Sequence, residues 1–333
     1  MFKGKKVIIT GGTGSLGKAI TKKLLLTDVD TIRIFSRDEW KQVEMQSNFT
    51  DKRLRFLIGD VRDKERLRRA MRDVDIVIHT AALKHVPIAE YNPFEAIKTN
   101  VMGSQNVVDL CLENNVDISI AVGTDKAVAP LNTYGATKLL MERIFISANY
   151  HKGNNKTKFL CVRYGNVMGS RGSIIPTFLN HIENKKTFSI TDPIMTRFNI
   201  SMNEALDIIW RGIEFGKGGE IFVPKLKAYQ LGELNEVMQE LTGNKIKTNI
   251  LKPRQGEKYH ESLISHDELR NTYESQNDYI LFENLDLEKY NNPQINVIPN
   301  TLSESYSSDK VQLLTKNEIK KAIIEEHLLN NFS

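Results

Sequence analysis

A short apolar strand running straight into a glycine-rich turn constrains the fold of this chain more than any other stretch. Residues 7–10, Val7-Ile8-Ile9-Thr10, read as a buried strand, and apolar positions then recur at helical spacing over 15–25. Between them lies Thr10-Gly11-Gly12-Thr13-Gly14-Ser15-Leu16-Gly17, with glycines three apart. Such a turn lets backbone N–H groups and a helix N-terminus approach a pyrophosphate, although by itself the string also describes any tight strand-to-helix turn. The rest of the chain gives it weight. Strands are expected at 31–35, 55–58, 75–79, 118–122 and 159–163, with helices between them that include 64–72 and 93–114. Strands alternating with helices predict an α/β fold, a doubly wound parallel sheet with ligands at the carboxyl ends of its strands.

Beyond Tyr164 the alternation loosens into short apolar pieces broken by Gly, Pro and Asn, which reads as a smaller substrate-binding lobe. We expect 1–165 to form the first domain, with 199–224 returning to it as a helix and a strand. The lobe then takes 166–198 and 225–300, and 301–333 forms a tail whose Thr315-Lys316-Asn317-Glu318 has the spacing of a capping box before a last helix. At 333 residues and 40% hydrophobic, the chain can bury a full core. A net charge of +5 with bases scattered among acids argues against nucleic acid as a partner and is compatible with an anionic substrate. Cys111 and Cys161, both in apolar segments, read as reduced core thiols, so neither a disulfide nor a metal site is expected. The first apolar run is too short for a signal peptide or a membrane span, which leads us to expect a soluble, cytoplasmic protein.

Candidate cofactor residues follow the strand ends. Gly11, Thr13, Gly14, Ser15, Leu16 and Gly17 form the turn. After the second strand, where an acid commonly holds a ribose diol, the chain has Ser36-Arg37. Arg37, with Lys41 nearby, suits a 2′-phosphate and so favours NADP over NAD, unless Arg37 is only a surface charge or stacks on adenine. Asp60, beside Val61, can accept from the adenine amine or cap a turn. Ala81 and Ala82 offer small side chains where backbone passes close to a cofactor, and Asn100 can orient a lysine or simply join helices.

Two proton-handling sets lie within fifteen residues of each other. Tyr134 and Lys138, four apart on an expected helix, share a face, so the ammonium can depress the phenol and ready it to take a proton from an alcohol. Thr124-Asp125-Lys126, at the end of the fifth strand, adds an acid and an amine that a simple dehydrogenase does not need. The surplus suggests a second chemical step after hydride transfer. Alone, Asp125-Lys126 would read as a solvated turn; its place before Tyr134 argues otherwise.

With these motifs in order, the chain resembles the extended short-chain dehydrogenase/reductase superfamily, whose sheet is of the Rossmann type. Several strings narrow the likeness: Ala81-Ala82-Leu83-Lys84-His85-Val86-Pro87, Thr124-Asp125-Lys126-Ala127, Arg163-Tyr164-Gly165-Asn166-Val167, Ser170-Arg171-Gly172-Ser173, Met195-Thr196-Arg197-Phe198 and Gly256-Glu257-Lys258. Together they look like the UDP-N-acetylglucosamine 4,6-dehydratases that invert C5, enzymes of cell-surface and glycoprotein amino-sugar synthesis. Some relatives carry Met at the position of Tyr134, and many carry Ser at that of Gly123, which leaves Thr124 as the hydroxyl near substrate. The resemblance implies that Tyr134 takes the C4 hydroxyl proton, that Lys126, if its pKa is lowered, removes the C5 proton, and that Asp125 in its acid form protonates the departing C6 hydroxyl. It also implies a UDP-sugar held by Lys84, Asn166, Arg197, Arg254 and Glu257, with Arg171 and Lys258 as further cations, and a dimer-based homo-oligomer, up to a hexamer, built on 100–111 and 139–148, whose apolar positions read equally well as core. A nucleotide-sugar epimerase, a simple reductase and a non-catalytic NADP-binding module are the competing readings.

Overall fold

The computed structural model describes residues 1–170, 172–184, 187–243, 248–253, 256–282, 290–291 and 294–329. The chain opens with β1 (Lys6–Thr10), α1 (Ser15–Leu25), β2 (Thr31–Ser36), α2 (Glu39–Asn48), β3 (Leu54–Ile58), α3 (Lys64–Met71) and β4 (Ile76–His79). It continues through α4 (Val86–Tyr91), α5 (Pro93–Ile97), a π-helical turn at Lys98–Met102, α6 (Gly103–Glu113), β5 (Ile118–Val122), a short 3-10 turn at Asp125–Ala127, α7 (Thr133–His151) and β6 (Lys158–Val162). Next come α8 (Ile174–Glu183), β7 (Phe188–Ile190), β8 (Thr196–Phe198), α9 (Met202–Phe215), β9 (Ile221–Pro224), β10 (Ala228–Gln230), α10 (Leu231–Thr242) and β11 (Thr248–Ile250). The last elements are β12 (Ser262–Ile264), β13 (Thr272–Glu274), β14 (Asp278–Leu281), β15 (Ile298–Pro299), β16 (Tyr306–Ser307) and α11 (Lys316–Glu325).

Among the described residues the main sheet runs β15-β13-β14-β9-β6-β5-β4-β1-β2-β3. From β3 to β9 all pairings are parallel, and β14, β13 and β15 add an antiparallel edge. β1, β4, β5 and β6 are almost wholly buried, as strands covered on both faces must be, which is why they read as continuous apolar runs. The strand order reverses between β1 and β4, and doubly wound sheets leave a crevice at such a point. This is the expected fold class.

Helix starts follow their caps: Asp38, Asp63 and Asn132 accept from the third residue of α2, α3 and α7, while Ser201/Glu204 and Thr315/Glu318 form reciprocal boxes on α9 and α11. The helix expected over 93–114 is instead α5 and α6 joined through the π turn. α9 packs on β5 and β6, and β9 pairs with β6. β13 to β15, which the sequence assigns to the lobe, extend the main sheet instead, because β14 pairs with β9. A separate apolar cluster, including Phe178, Phe188, Tyr229, Leu234, Ile319 and Ile323, holds α8, β7, β10, α10 and α11 together.

Candidate active site

The crevice at the switch point has a volume of about 200 Å³ and is lined by Gly11, Thr13, Gly14, Ser36, Arg37, Asp38, Lys41, Asp60, Val61, Ala81 and Ala82, among others. Gly11 has φ +70°, and a Cβ there would lie 2.8 Å from the Cα of Ala81, so only glycine lets the two backbones meet. At Gly17 a Cβ would come within 2.4 Å of the Gly12 carbonyl, which seats α1 close behind the turn. Ser15 and Leu16 open α1, whose N-terminus is free of acidic side chains in its first turn. These features fit a dinucleotide pyrophosphate: a helix N-terminus opening on the crevice, with glycines that let the backbone pass close.

At the end of β2 an acid does stand in the crevice, one residue beyond Arg37. Asp38 uses one oxygen to cap α2, accepting from Lys41 N at 3.0 Å, and pairs the other with Lys41 Nζ. Arg37 is half-exposed, with Nη1 3.5 Å from Asp60 Oδ2, and Asp60 is held mainly by Arg62 at 2.7 and 2.9 Å. Burial works against the Asp60 charge, but the Arg62 hydrogen bonds and Arg37 outweigh it and keep the carboxyl below its usual range. Val61 is buried beneath Gly103.

Beneath the crevice runs a chain of buried polar contacts that sequence reasoning missed. The Thr10 hydroxyl is 2.7 Å from His79 Nδ1, and His79 Nε2 is 3.0 Å from Ser104 Oγ, which itself donates to the Asn100 carbonyl at 2.6 Å. Because Ser104 spends its proton on that carbonyl, we assign the His79 proton to Nε2 and the acceptor role to Nδ1. Asn100 clamps both backbone groups of Leu83 (2.7 and 3.0 Å) and donates to Thr137 Oγ1 (2.9 Å). Its contacts therefore join the segment after β4 to α7 and do not reach Lys138. Lys84 lies exposed on that same segment.

The carboxyl end of β5 and the start of α7 bring the two proton-handling sets together. Thr124 Oγ1 donates to Asp125 Oδ1 at 2.9 Å and lies near enough to Tyr134 to pull the phenol pKa down. Lys126 Nζ reaches the same Asp125 oxygen at 3.0 Å and Glu261 Oε1 at 3.2 Å. Asp125 is 1% exposed; burial, then Glu261, raises its pKa against the pull of Lys126, so it is suited to carry a proton. Glu261 is the opposite case: burial disfavours its charge, but Lys126, Arg197 and Lys258 together hold it below the usual carboxylate range.

Two electrostatic expectations are corrected. Lys126 does not have a lowered pKa: burial acts in that direction, but the flanking Asp125 and Glu261 carboxylates win and raise it. Nor does Lys138 hold Tyr134 as phenolate. Lys138 Nζ donates to the Val122 carbonyl at 2.6 Å and sits 2.8 Å from Met141 Sδ, and burial pushes it down to about 8. Burial pushes the Tyr134 phenol up to about 12, and the opposing pull comes from Lys126 and Thr124.

On the lobe side, the largely buried Arg197 donates to the carbonyls of Thr196 (2.8 Å) and Tyr259 (3.0 Å), with Nη2 3.5 Å from Glu257 Oε1. Thr191 Oγ1 is 3.3 Å from that Glu257 oxygen. Lys258 Nζ donates to the Val128 carbonyl, and burial lowers its pKa. Asn166 is exposed just past β6. Arg171 and Arg254 lie outside the described residues. Glu261 and Tyr229, whose phenol burial pushes up to about 12, were not singled out from sequence, since each sits in a run with no motif of its own.

Residues 7–283 match the family described as polysaccharide biosynthesis protein. The chain belongs to this family. Within it, two relatives from Campylobacter jejuni are named UDP-N-acetylglucosamine 4,6-dehydratase (inverting). One is 50% identical, covering 86% of this chain and 85% of its own; the other is 48% identical, covering 93% and 94%. A relative from Rickettsia akari named UDP-glucose 4-epimerase is 40% identical over 99% of this chain and 100% of its own. Among solved structures, Pen from Bacillus thuringiensis superposes with a TM-score of 0.93 at 39% identity, covering 99% of this chain and 100% of that one.

Proposed function

We propose that this member of the polysaccharide biosynthesis protein family is a UDP-N-acetylglucosamine 4,6-dehydratase that inverts C5. The carrying observation is the buried array of Asp125, Lys126 and Glu261 beside Tyr134, an acid, an ammonium and a carboxylate where alcohol oxidation alone needs only the phenol. The inverting dehydratases at 48–50% identity support the same chemistry. A nicotinamide held in the crevice would supply the acceptor for the C4 hydride and the hydride that goes to C6. Tyr134 must first shed its own proton against the rise that burial gives it, with Lys126 and Thr124 pulling the other way; its oxygen then takes the C4 hydroxyl proton, and the new ketone acidifies the hydrogen on C5. Lys126 removes that proton while Asp125, whose pKa burial raises, donates in its acid form to the departing C6 hydroxyl. Thr124, bonded to Asp125 and close to Tyr134, orients the acid beside the phenol.

NADP is the cofactor we favour. Arg37 and Lys41 stand at the end of β2, and Asp38 is occupied with the α2 cap and Lys41, which suits a 2′-phosphate better than a free diol. Lys84, Asn166, Arg197 and Glu257 would hold the nucleotide-sugar, the arginine on diphosphate and the carboxylate on ribose hydroxyls. A dimer-based homo-oligomer is supported by Ile88, Tyr91, Phe94, Met102 and Leu140, large apolar side chains left exposed on α4 to α7. No helix among the described residues is long and apolar enough to cross a membrane, and we take the enzyme to work in the cytoplasm.

The test is incubation of the purified protein with UDP-N-acetylglucosamine in D2O, followed by mass and NMR analysis. A product lighter by one water, a 4-keto-6-deoxy sugar with solvent deuterium at C5 and inverted coupling there, is expected. A product of unchanged mass would instead make the protein an epimerase. Lys126→Ala is expected to abolish water loss, and normal turnover by that variant would remove Lys126 from the mechanism.

A further inference from the structure

The array poses a problem of proton supply. Lys126 must be an amine to act on C5, yet it lies between two carboxylates, at 3.0 Å from Asp125 and 3.2 Å from Glu261. Asp125 cannot relieve it of a proton, because Asp125 must carry its own proton to the leaving hydroxyl. The second carboxylate has no such duty. The Glu261 side chain is 4% exposed, and its Oε2 has no hydrogen-bond partner among the described residues. Lys126, Arg197 and Lys258 hold Glu261 charged at rest, so moving a proton onto it is uphill there; burial of the unpartnered oxygen reduces that cost, because proton transfer within the Lys126–Glu261 pair turns two buried charges into two neutral groups.

The backbone around Glu261 is fixed from a distance in sequence. Glu261 N donates to Ser308 Oγ at 2.9 Å, Ser308 N donates to the Glu261 carbonyl at 2.8 Å, and β12 pairs with β16 beside them. Ser308 Oγ is also 2.6 Å from Thr196 Oγ1, whose neighbour Arg197 faces the same carboxylate. The charged and titratable groups facing the pair are Asp125 from the β5 end, Tyr134 from α7, Arg197 from β8, Tyr229 from β10 and Lys258 from the segment before Glu261.

We propose that Glu261 is a positioning residue that takes a proton from Lys126 before elimination and recharges Asp125 through Lys126 afterwards. This rests on the dehydratase reading. In the first step an Nζ–H bond of Lys126 breaks and an O–H bond forms on Glu261. The free amine then takes the C5 proton; the C5–H electron pair becomes the C5–C6 double bond as the C6–O bond breaks, and the Asp125 proton leaves with the hydroxyl as water. Once a hydride has been returned to C6, Tyr134 surrenders to C5 the proton it took from the C4 hydroxyl. Glu261 now holds one proton too many and Asp125 one too few. Lys126, in contact with both, passes one to Asp125 and takes one from Glu261, which restores the starting state.

Glu261→Gln keeps the shape and an acceptor for Lys126 but cannot take a proton. With UDP-N-acetylglucosamine, that variant is expected to accumulate reduced nicotinamide while kcat falls by about 100-fold or more, with KM within about threefold of wild type. Lys126 must then discharge to solvent, so its kcat should climb about tenfold per pH unit between about pH 7 and 9, where the wild type stays flat. Glu261→Asp, which keeps a carboxylate, should recover about tenfold over Gln. A Gln variant with wild-type kcat would overturn the proposal, as would a loss equal at every pH without rescue by Asp, the mark of a structural role. The wild type supplies a readout independent of variant folding: a kcat rising tenfold per unit over the same range would overturn it too. Failure of the wild type to release a product lighter by one water would sink the dehydratase reading itself, whereas these outcomes bear on Glu261 alone.

Discussion

His79 shows how a single side chain can be structural and still set a pH limit. Both ring nitrogens are used, one facing Thr10 and one facing Ser104, and burial, then Lys138, pushes the imidazole down to about 3. The unfolded chain therefore binds a proton that the native protein refuses between about pH 6.5 and 3, so stability falls as pH drops through that window, by about 1.4 kcal/mol per unit. Urea titrations at pH 7 and 5 should differ by about 2 kcal/mol from this group, and His79→Gln should remove that part of the difference; an unchanged difference would refute the assignment. At the same scale, the types and spacing of Thr124, Asp125, Lys126, Tyr134 and Lys138 were legible because they sit at a strand end and on one helix face. The signs of the Lys126 and Tyr134 shifts were not. They depend on Glu261, which is 135 residues from Lys126 in sequence, and on Lys138 turning to the Val122 carbonyl.

At the scale of elements, the end of β5 packs so closely on α7 that Gly123 has no room for a side chain. A Cβ there would lie 2.4 Å from Glu142 Oε1 and 2.9 Å from the Val162 carbonyl. Gly123→Ala must then push Glu142 off Arg163, at an expected cost of about 1–3 kcal/mol in urea unfolding, and Gly123→Ala with Glu142→Asp should recover much of it. If the single variant is as stable as wild type, the close packing is not limiting. Element types were readable because local periodicity and caps fix them, as the boxes at Ser201 and Thr315 illustrate. The π turn between α5 and α6 was not, since no residue type announces it; it occurs where Asn100 is pulled between Leu83 and Thr137.

Across the whole molecule, Arg163 ties the β6 end to distant segments. It is fully buried and bonds Glu142 at 2.7 Å, Glu268 at 3.0 Å and the Leu263 carbonyl at 2.9 Å. Arg163→Ala leaves a buried carboxylate uncompensated and is expected to cost about 3–5 kcal/mol in denaturant unfolding; a loss under 1 kcal/mol would show that water replaces it. The sequence by itself determined the parallel sheet, the glycine turn at its switch point and the proton-handling residues on β5 and α7, because each is written in contiguous residues whose period and chemistry are local. Tertiary structure alone decided that burial raises the Asp125 pKa, that flanking carboxylates raise that of Lys126, and that Glu261, fixed by Ser308 of the tail, belongs to the site. Burial and charge coupling act through space, over distances of a few ångströms that the order of residues along the chain does not record.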